Sequence, residues 1–372
     1  MNYKSNKLHN RKVYAKFINI NWMVISIIFL LFLLGCIVIY SASGGNFYPL
    51  VEKHVYKFIF SLIILFFLCC LNYEFFKSYS YYYYLLSIFF LVLLIFFGSE
   101  SSGSNRWLNL GFFSLQPSEF AKVTLILAIS KYYSDVTHLK NNSIIKLIIP
   151  MFLITVPFLI ILNQPDLGTS ILLLLNGISL IILSGVSVWF ILFGLVIFLI
   201  SVPVIWSLLF DYQKQRILTF LNPEGDPLGS GYHIAQSKIA IGSGGFTGKG
   251  YMKGSQSQLE FIPEIHTDFV FSVFSEEFGY LGALIIVILY LFLFIYGLMS
   301  CYKASNIYDK LTIFGLSMNF FLYFFINISM VIGLVPVVGV PLPIISYGGS
   351  SMLAVMISFG IIENINLNRR LN

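Results

Sequence analysis

The chain has 372 residues, of which 58% are hydrophobic and only 10% charged, with a formal net charge of +6. Soluble domains carry about 25% charged residues, so this composition excludes a soluble globular protein and points to an all-α polytopic membrane protein. Nucleic-acid binding is excluded because no basic run interleaves with exposed aromatics.

Residues 1–20 form a basic N-terminal segment with Lys4, Lys7, Arg11, Lys12 and Lys16. The apolar run from Trp22 to Tyr40 exceeds the 7–15 residue core of a secretory leader, so it reads as an uncleaved spanning helix. A span needs about 20 apolar residues. That length predicts about ten helices, at 21–41, 55–71, 80–98, 117–133, 144–163, 167–184, 188–210, 269–298, 311–334 and 345–365. Lysine and arginine favour cytoplasmic segments. With the N-terminus inside, the inner segments hold 13 of them, whereas the short outer ones hold only Lys53, Lys57 and Arg106. The expectation is therefore a single integral membrane domain over 1–372 with both termini cytoplasmic. Residues 366–372 are then a cytoplasmic tail, and 211–268 a large extracytoplasmic loop between helices 7 and 8.

Cys36, Cys69, Cys70 and Cys301 have no metal-site spacing and read as small buried apolar residues. His54 flanks a helix and reads as solvated. His233 and His266 share the long loop with Asp268, so a two-histidine, one-carboxylate metal site is one alternative there.

Ionisable groups inside a membrane are costly and mark function. Glu119 and Lys122 share a helix face at i, i+3, either as a structural ion pair or as cavity residues. Asp268 opens the eighth helix at its outer end. On a straight helix Glu276 and Glu277 lie about 12–14 Å deeper, at 1.5 Å per residue. Asp166, Arg106 and Trp107 fall in outer turns. In "VPVVGVPLPIISYGGSS" (335–351) three prolines resist continuous helix, and broken backbone at membrane depth is tolerated where it lines a cavity. The polar chemistry thus gathers at the outer leaflet.

"GSGGFTGKG" (242–250) imitates a P-loop, but Ser243 stands where the first glycine belongs and Gly250 where the hydroxyl does. A nucleotide site is excluded. Two readings stay open: a plain turn, or a backbone cradle for another phosphate built by Gly244, Gly245 and Gly248 with Lys249.

"NRWLNLGFFSLQPSEFAK" (105–122), "QPDLGTS" (164–170), "DPLGSGYHIAQSKIAIGSGGFTGKG" (226–250), "GSQSQLEFIPEIHTDFVFSVFSEEFGYLG" (254–282) and "VVGVPLPIISYGGSS" (337–351) resemble the SEDS family, named for shape, elongation, division and sporulation. "QSKIAIGSGG" and "GSQSQLEF" are similar to the rod-shape (RodA) type rather than the division (FtsW) type. Ile265 departs from that type, which often has arginine there. The resemblance implies a ten-helix peptidoglycan glycosyltransferase of the bacterial inner membrane that polymerises lipid II during cell elongation. It implies Asp268 as the key acid, here a general base. Arg106, Trp107, Glu119, Lys122, Lys249, Gly244, Gly245, Gly248, Glu264 and Ser350, all within or beside these motifs, are the expected substrate-binding residues. No cofactor is certain; a divalent cation (Mg or Mn) is one means of stabilising the pyrophosphate leaving group. The implied partners are lipid II, a class B penicillin-binding protein and the elongation machinery, with membrane lipids around them. The apolar stretches "LYLFLFIYG" (289–297) and "NFFLYFFIN" (319–327) are the expected docking faces. The alternative is a lipid II flippase, which the charged pair and the broken last segment would also suit.

Overall fold

A computed structural model describes residues 16–97, 99–101, 104–109, 114–137, 144–222, 229–258 and 264–371. Residues 1–15 of the basic N-terminal segment, two parts of the 211–268 loop and Asn372 lie outside the described residues, as does the side chain of Arg106.

The helices are α1 (Trp22–Ala42), α2 (Leu50–Cys70), α3 (Tyr73–Ser78), α4 (Ser80–Phe97), α5 (Pro117–Asp135), α6 (Ile145–Asn163), α7 (Leu167–Leu183), α8 (Val188–Leu208), α9 (Asp211–Leu221), α10 (Ser230–Gly244), α11 (Ser255–Gln258), α12 (Val270–Tyr302), α13 (Ile307–Val331) and α14 (Gly349–Leu371). Between α4 and α5, strands β1 (Ser99–Ser101), β2 (Ser104–Asn109) and β3 (Ser114–Leu115) form a small antiparallel sheet in the order β1-β2-β3. Ten of the helices coincide with the ten stretches expected to span. Seven are long and apolar enough to cross a membrane, and α7 and the first part of α8 are shorter apolar helices. The remaining one, α5, carries Glu119 and Lys122. The outer surface is apolar: Phe96, Phe97, Trp189 and Ile200 are all exposed, as a bilayer-facing shell requires.

Helices approach closely where glycine leaves room. A Cβ at Gly360 of α14 would stand 3.1 Å from the Leu65 carbonyl oxygen of α2. One at Gly297 of α12 would overlap Ser317 of α13. The core between α12 and α13 is aromatic. Tyr290 stacks on Phe320 and Phe324 at centroid distances of 5.4 and 4.8 Å, and such offset pairs add about 0.5–1.5 kcal/mol beyond area burial. This burial corrects the expected docking face on α13. Phe320, Leu322, Tyr323 and Phe324 are interior, and Phe325 alone of that aromatic run is exposed.

Both ends of the described chain meet at one end of the bundle. Asn21 N–H donates to Glu363 Oε2 at 3.2 Å, and Arg370 Nη1 donates to the Asn19 carbonyl at 2.9 Å. The opposite end holds Asp268 and the other sequence motifs.

α12 is two helices joined at Gly279, whose φ of 65° and ψ of −163° break the helical path. Such a backbone suits glycine alone. A break frees carbonyls on one side and N–H groups on the other, and at membrane depth these need partners. The glycine-rich stretch supplies them. Lys249 N–H donates to Glu276 O at 3.0 Å and Gly250 N–H to Glu277 O at 3.1 Å, while Tyr280 and Leu281 N–H donate to Gly245 O and Phe246 O at 2.9 and 3.2 Å. The approach is so close that a Cβ at Gly244 would collide with the Ser275 carbonyl, and one at Gly248 with the Glu277 carbonyl. The break at Gly279 follows Glu276 and Glu277, so the rise expected from Asp268 to these two is not altered by it. Glu277 accepts a hydrogen bond from Ser41, at the end of α1.

Candidate functional site

Asp268 lies one residue outside α12, whose N-cap is Phe269, so the carboxylate does not occupy the capping position. Its surroundings come from two other elements. Asn327, fully buried on α13, donates from Nδ2 to the Asp268 carbonyl at 2.8 Å and to the Val340 carbonyl at 2.7 Å. Ser346 Oγ donates to the Thr267 carbonyl at 2.5 Å, and Tyr347 N–H to the His266 carbonyl at 2.8 Å. The turn carrying Asp268 is thus bound to the proline-rich 335–348 segment. The carboxylate lies against that segment: a Cβ at Gly339 (φ 71°) would stand 3.6 Å from Asp268 Oδ2. Asp268 itself is half-buried. The result is a half-buried aspartate on a backbone held by two other elements.

One helical turn along α13 from Asn327 stands Tyr323, fixed to the charged pair. Lys122 Nζ lies 2.9 Å from Glu119 Oε1. Tyr323 OH donates to Glu119 Oε2 and accepts from Lys122, whose ammonium also sits 4.2 Å above the Tyr323 ring. Glu119, Lys122 and Tyr323 are all buried. Since i, i+4 neighbours are about 5–6 Å apart, the pair lies beneath the anchor of Asp268. A buried ion pair is often no better for stability than apolar residues of the same volume, so its charge demands an explanation beyond packing.

Neighbouring motifs brace this assembly. Asp166 caps α7 by accepting from Thr169 N–H at 3.2 Å, and also accepts from Gln116 Nε2 at 3.0 Å. Gly168 abuts the Val338 carbonyl so closely that a Cβ would collide with it. Ser350 is buried; it accepts from Gln116 N–H at 3.0 Å and donates to Ser114 O at 3.1 Å. It ties the start of α14 to β3 instead of facing a ligand.

Other expected site residues sit differently. Gly245, Gly248 and Lys249 donate their N–H groups to Gly242, Gly244 and Glu276 carbonyls, so these are committed to the fold and do not form the expected anion cradle. Lys249 Nζ pairs with buried Glu276 at 2.7 Å, beside Ser255 at 2.8 Å. Glu264 is exposed four residues before Asp268, and its Oε2 accepts from Thr267 Oγ1 at 3.1 Å. Trp107 is half-buried in β2, opposite Ser99. Ile265 is buried in the core. Among the described residues, no three His, Cys, Asp or Glu side chains are placed to hold a metal ion. Within the described residues, His233, His266 and Asp268 do not assemble into the metal site considered above.

Three contributors escaped the motif reading. Lys57 Nζ lies 3.7 Å above the Tyr347 ring and brings a cation to the 335–351 segment; its sequence signal was one lysine in the outer half of an apolar helix. Asn327 had a similar signal, a lone amide in "FFINISM". His54 is fully buried, stacked on Phe32 at 5.5 Å, against its expected solvation, because the 335–348 segment folds back over α2.

Comparison with known proteins agrees with this architecture. Residues 21–371 match the family profile described as FTSW_RODA_SPOVE, cell cycle protein. The chain is 41% identical over 367 residues to the peptidoglycan glycosyltransferase MrdB of Escherichia coli K12, covering 97% of both chains. It is 34% identical over 329 residues to the probable peptidoglycan glycosyltransferase FtsW of Buchnera aphidicola, covering 87% of this chain and 92% of the relative. In the solved structure described as "Structural coordination of polymerization and crosslinking by a peptidoglycan synthase complex", one chain is 26% identical and superimposes with a TM-score of 0.81, covering 95% of this chain and 99% of that one. The rod shape determining protein RodA of Thermus thermophilus, 23% identical, shares the fold with a TM-score of 0.70 over 95% of this chain and 98% of its own. The chain is a multi-pass membrane protein of the FtsW/RodA/SpoVE family.

Proposed function

We propose that this protein is a peptidoglycan glycosyltransferase that polymerises lipid II at the outer face of the bacterial inner membrane, with Asp268 as general base. The observation that carries the assignment of the base is the placement of half-buried Asp268, its carboxylate beside Gly339 on a backbone fixed by Asn327 and Ser346. Near-full-length similarity to a peptidoglycan glycosyltransferase supports the reaction class.

In this reading the 4-hydroxyl of the acceptor sugar lies beside the Asp268 carboxylate. Its oxygen attacks the anomeric carbon of the donor, its proton passes to Asp268, and the bond to undecaprenyl pyrophosphate breaks. Positioned proton transfer contributes typically 10²–10⁴-fold. An α-linked donor giving a β-linked product inverts in one displacement, so no carboxylate nucleophile is required. Charge growing on the pyrophosphate needs cations or N–H donors. Lys57 beside Tyr347 is one cation at the 335–351 segment, with Arg106 a further candidate. The Glu119–Lys122 pair acts beneath Asp268 by fixing the local electrostatics. The positive-inside count puts the Asp268 end outside. A class B penicillin-binding protein would crosslink the new strands in the elongation machinery, a reading supported by the likeness to a synthase-complex chain.

The test is purified protein in liposomes with labelled lipid II. Glycan polymer forming without nucleotide supports the enzyme. Transfer of lipid II between leaflets with no polymer, under conditions where a related polymerase works, would support the flippase instead.

A further inference from the structure

At the end of the bundle away from Asp268, a cavity of about 340 Å³ opens between the start of α1, the last turns of α12 and the end of α14. Its two walls differ chemically. Phe292, Ile295 and Met299 form an apolar side along α12, and Lys303, Arg369 and Arg370 stand at the rim. From Phe292 to Lys303 the helix rises about 16 Å, so the cavity runs from hydrocarbon depth to the headgroup level. Exposed Trp22 and Tyr302 mark that level, where such side chains concentrate.

The polar groups behind the cavity bond to one another, except Asn366 Oδ1, which has no partner among the described residues. Tyr296 OH donates to Glu363, and Asn366 Nδ2 donates to Tyr296 OH at 3.0 Å and Ser300 Oγ at 3.1 Å. The cations are differently placed. Arg369 Nη1 donates to the Ser300 carbonyl at 3.3 Å and Arg370 Nη1 to the Asn19 carbonyl at 2.9 Å. A guanidinium has five N–H donors, so most remain available. None of the three cations has a carboxylate within ion-pair distance among the described residues. The nearby carboxylates are already held: Glu363 is buried and bonded to Tyr296 and Asn21, and Asp309, near Arg369, accepts from Tyr73.

We infer that this cavity is a binding site for an anionic glycerophospholipid of the cytoplasmic leaflet. The phosphodiester would meet Lys303, Arg369 and Arg370, and one acyl chain would lie along Phe292, Ile295 and Met299. A soluble anion would use the cations but not the apolar wall, and a zwitterionic lipid would use the wall but gain less from three positive charges. Basic pockets between spanning helices on the cytoplasmic side hold lipid headgroups by this complementarity. The site lies across the membrane from Asp268 and does not rest on the enzymatic reading.

The test uses full-length protein in nanodiscs of phosphatidylethanolamine, alone or mixed with phosphatidylglycerol. A photoactivatable phosphatidylglycerol is crosslinked and the labelled peptides are mapped. Labelling should concentrate in 292–303 and 366–370 and be competed by unlabelled phosphatidylglycerol but not by phosphatidylethanolamine. Each of Lys303→Ala and Arg370→Ala should weaken that competition about fivefold, the factor carried by one cation near a membrane surface. Lys131→Ala, which removes a charge from α5 away from the cavity, should leave it unchanged. Labelling spread evenly over the spans, or equal loss in Lys131→Ala and Lys303→Ala, would overturn the inference. So would competition by phosphatidylethanolamine equal to that by phosphatidylglycerol.

Discussion

Replacing Asn327 by leucine removes the amide that joins the Asp268 turn to the 335–348 segment while nearly keeping its volume. Two carbonyls, those of Asp268 and Val340, lose their donor at distances of 2.8 and 2.7 Å. Each buried group left without a partner costs about 1–3 kcal/mol, so the intact geometry would be destabilised by roughly 2–6 kcal/mol in total. The segment can escape part of that cost by shifting, and a shift carries the Asp268 carboxylate with it. Misplacing a reacting group by about 1 Å can cost on the order of 10²-fold in rate. The expected outcome is a lower melting temperature together with a roughly 10²-fold lower turnover of lipid II to polymer, expressed in kcat more than in KM. Asn327→Asp offers an acceptor where donors are needed and should do no better. Both are measured in liposomes at equal protein incorporation. Wild-type kcat in folded Asn327→Leu protein would refute the claim that this amide positions Asp268.

Lys122→Met should leave Glu119 charged and unpaired in the core, a loss of about 3–5 kcal/mol visible as a large drop in melting temperature. Glu119→Gln combined with Lys122→Met should regain most of that stability but not polymerisation, and normal polymer yield in the double variant would make the pair a packing element only. Gly248→Ala brings a methyl group into the Glu277 carbonyl at a backbone φ of 84°. It should lower the melting temperature by loosening the Gly279 break, and an unchanged melting curve would refute the packing role given to the glycine stretch. For topology, a chain with its four cysteines replaced and a cysteine at exposed Thr247 should react with an impermeant thiol reagent on intact spheroplasts. Cysteine at exposed Ser305 should be protected, and the reverse pattern would invert the orientation.

The spanning helices were legible because twenty-residue apolar runs have few alternatives. Even α5 was legible as a helix, since the apolar stretch 123–130 separates Glu119 and Lys122 from Lys131 and Asp135. The candidate site was legible where polar residues interrupt apolar surroundings, as at Asp268 and Glu119, which the structure links through Asn327 and Tyr323 on α13. It was not legible where function depends on distant partners. Nothing local in "EEFGYLG" shows that Gly279 breaks a helix, because the reason lies in the carbonyls and N–H groups of residues 245–250. The same distance hid the role of the glycine stretch: its composition suits both an anion cradle and close backbone packing, and only its contacts decide. Lys57, Asn327 and His54 gained their places from the 335–348 segment folding back between helices, a tertiary event with no short-range signature.

The central claim is that the Asp268 carboxylate takes the acceptor proton. Asp268→Asn keeps the side-chain shape and leaves the Asn327 bond to the backbone carbonyl intact, so the protein should fold and insert at the wild-type level. With labelled lipid II in liposomes, polymer synthesis should fall by about 10²–10⁴-fold, the usual contribution of a general base. Polymer made at the wild-type rate by folded Asp268→Asn protein would contradict the account.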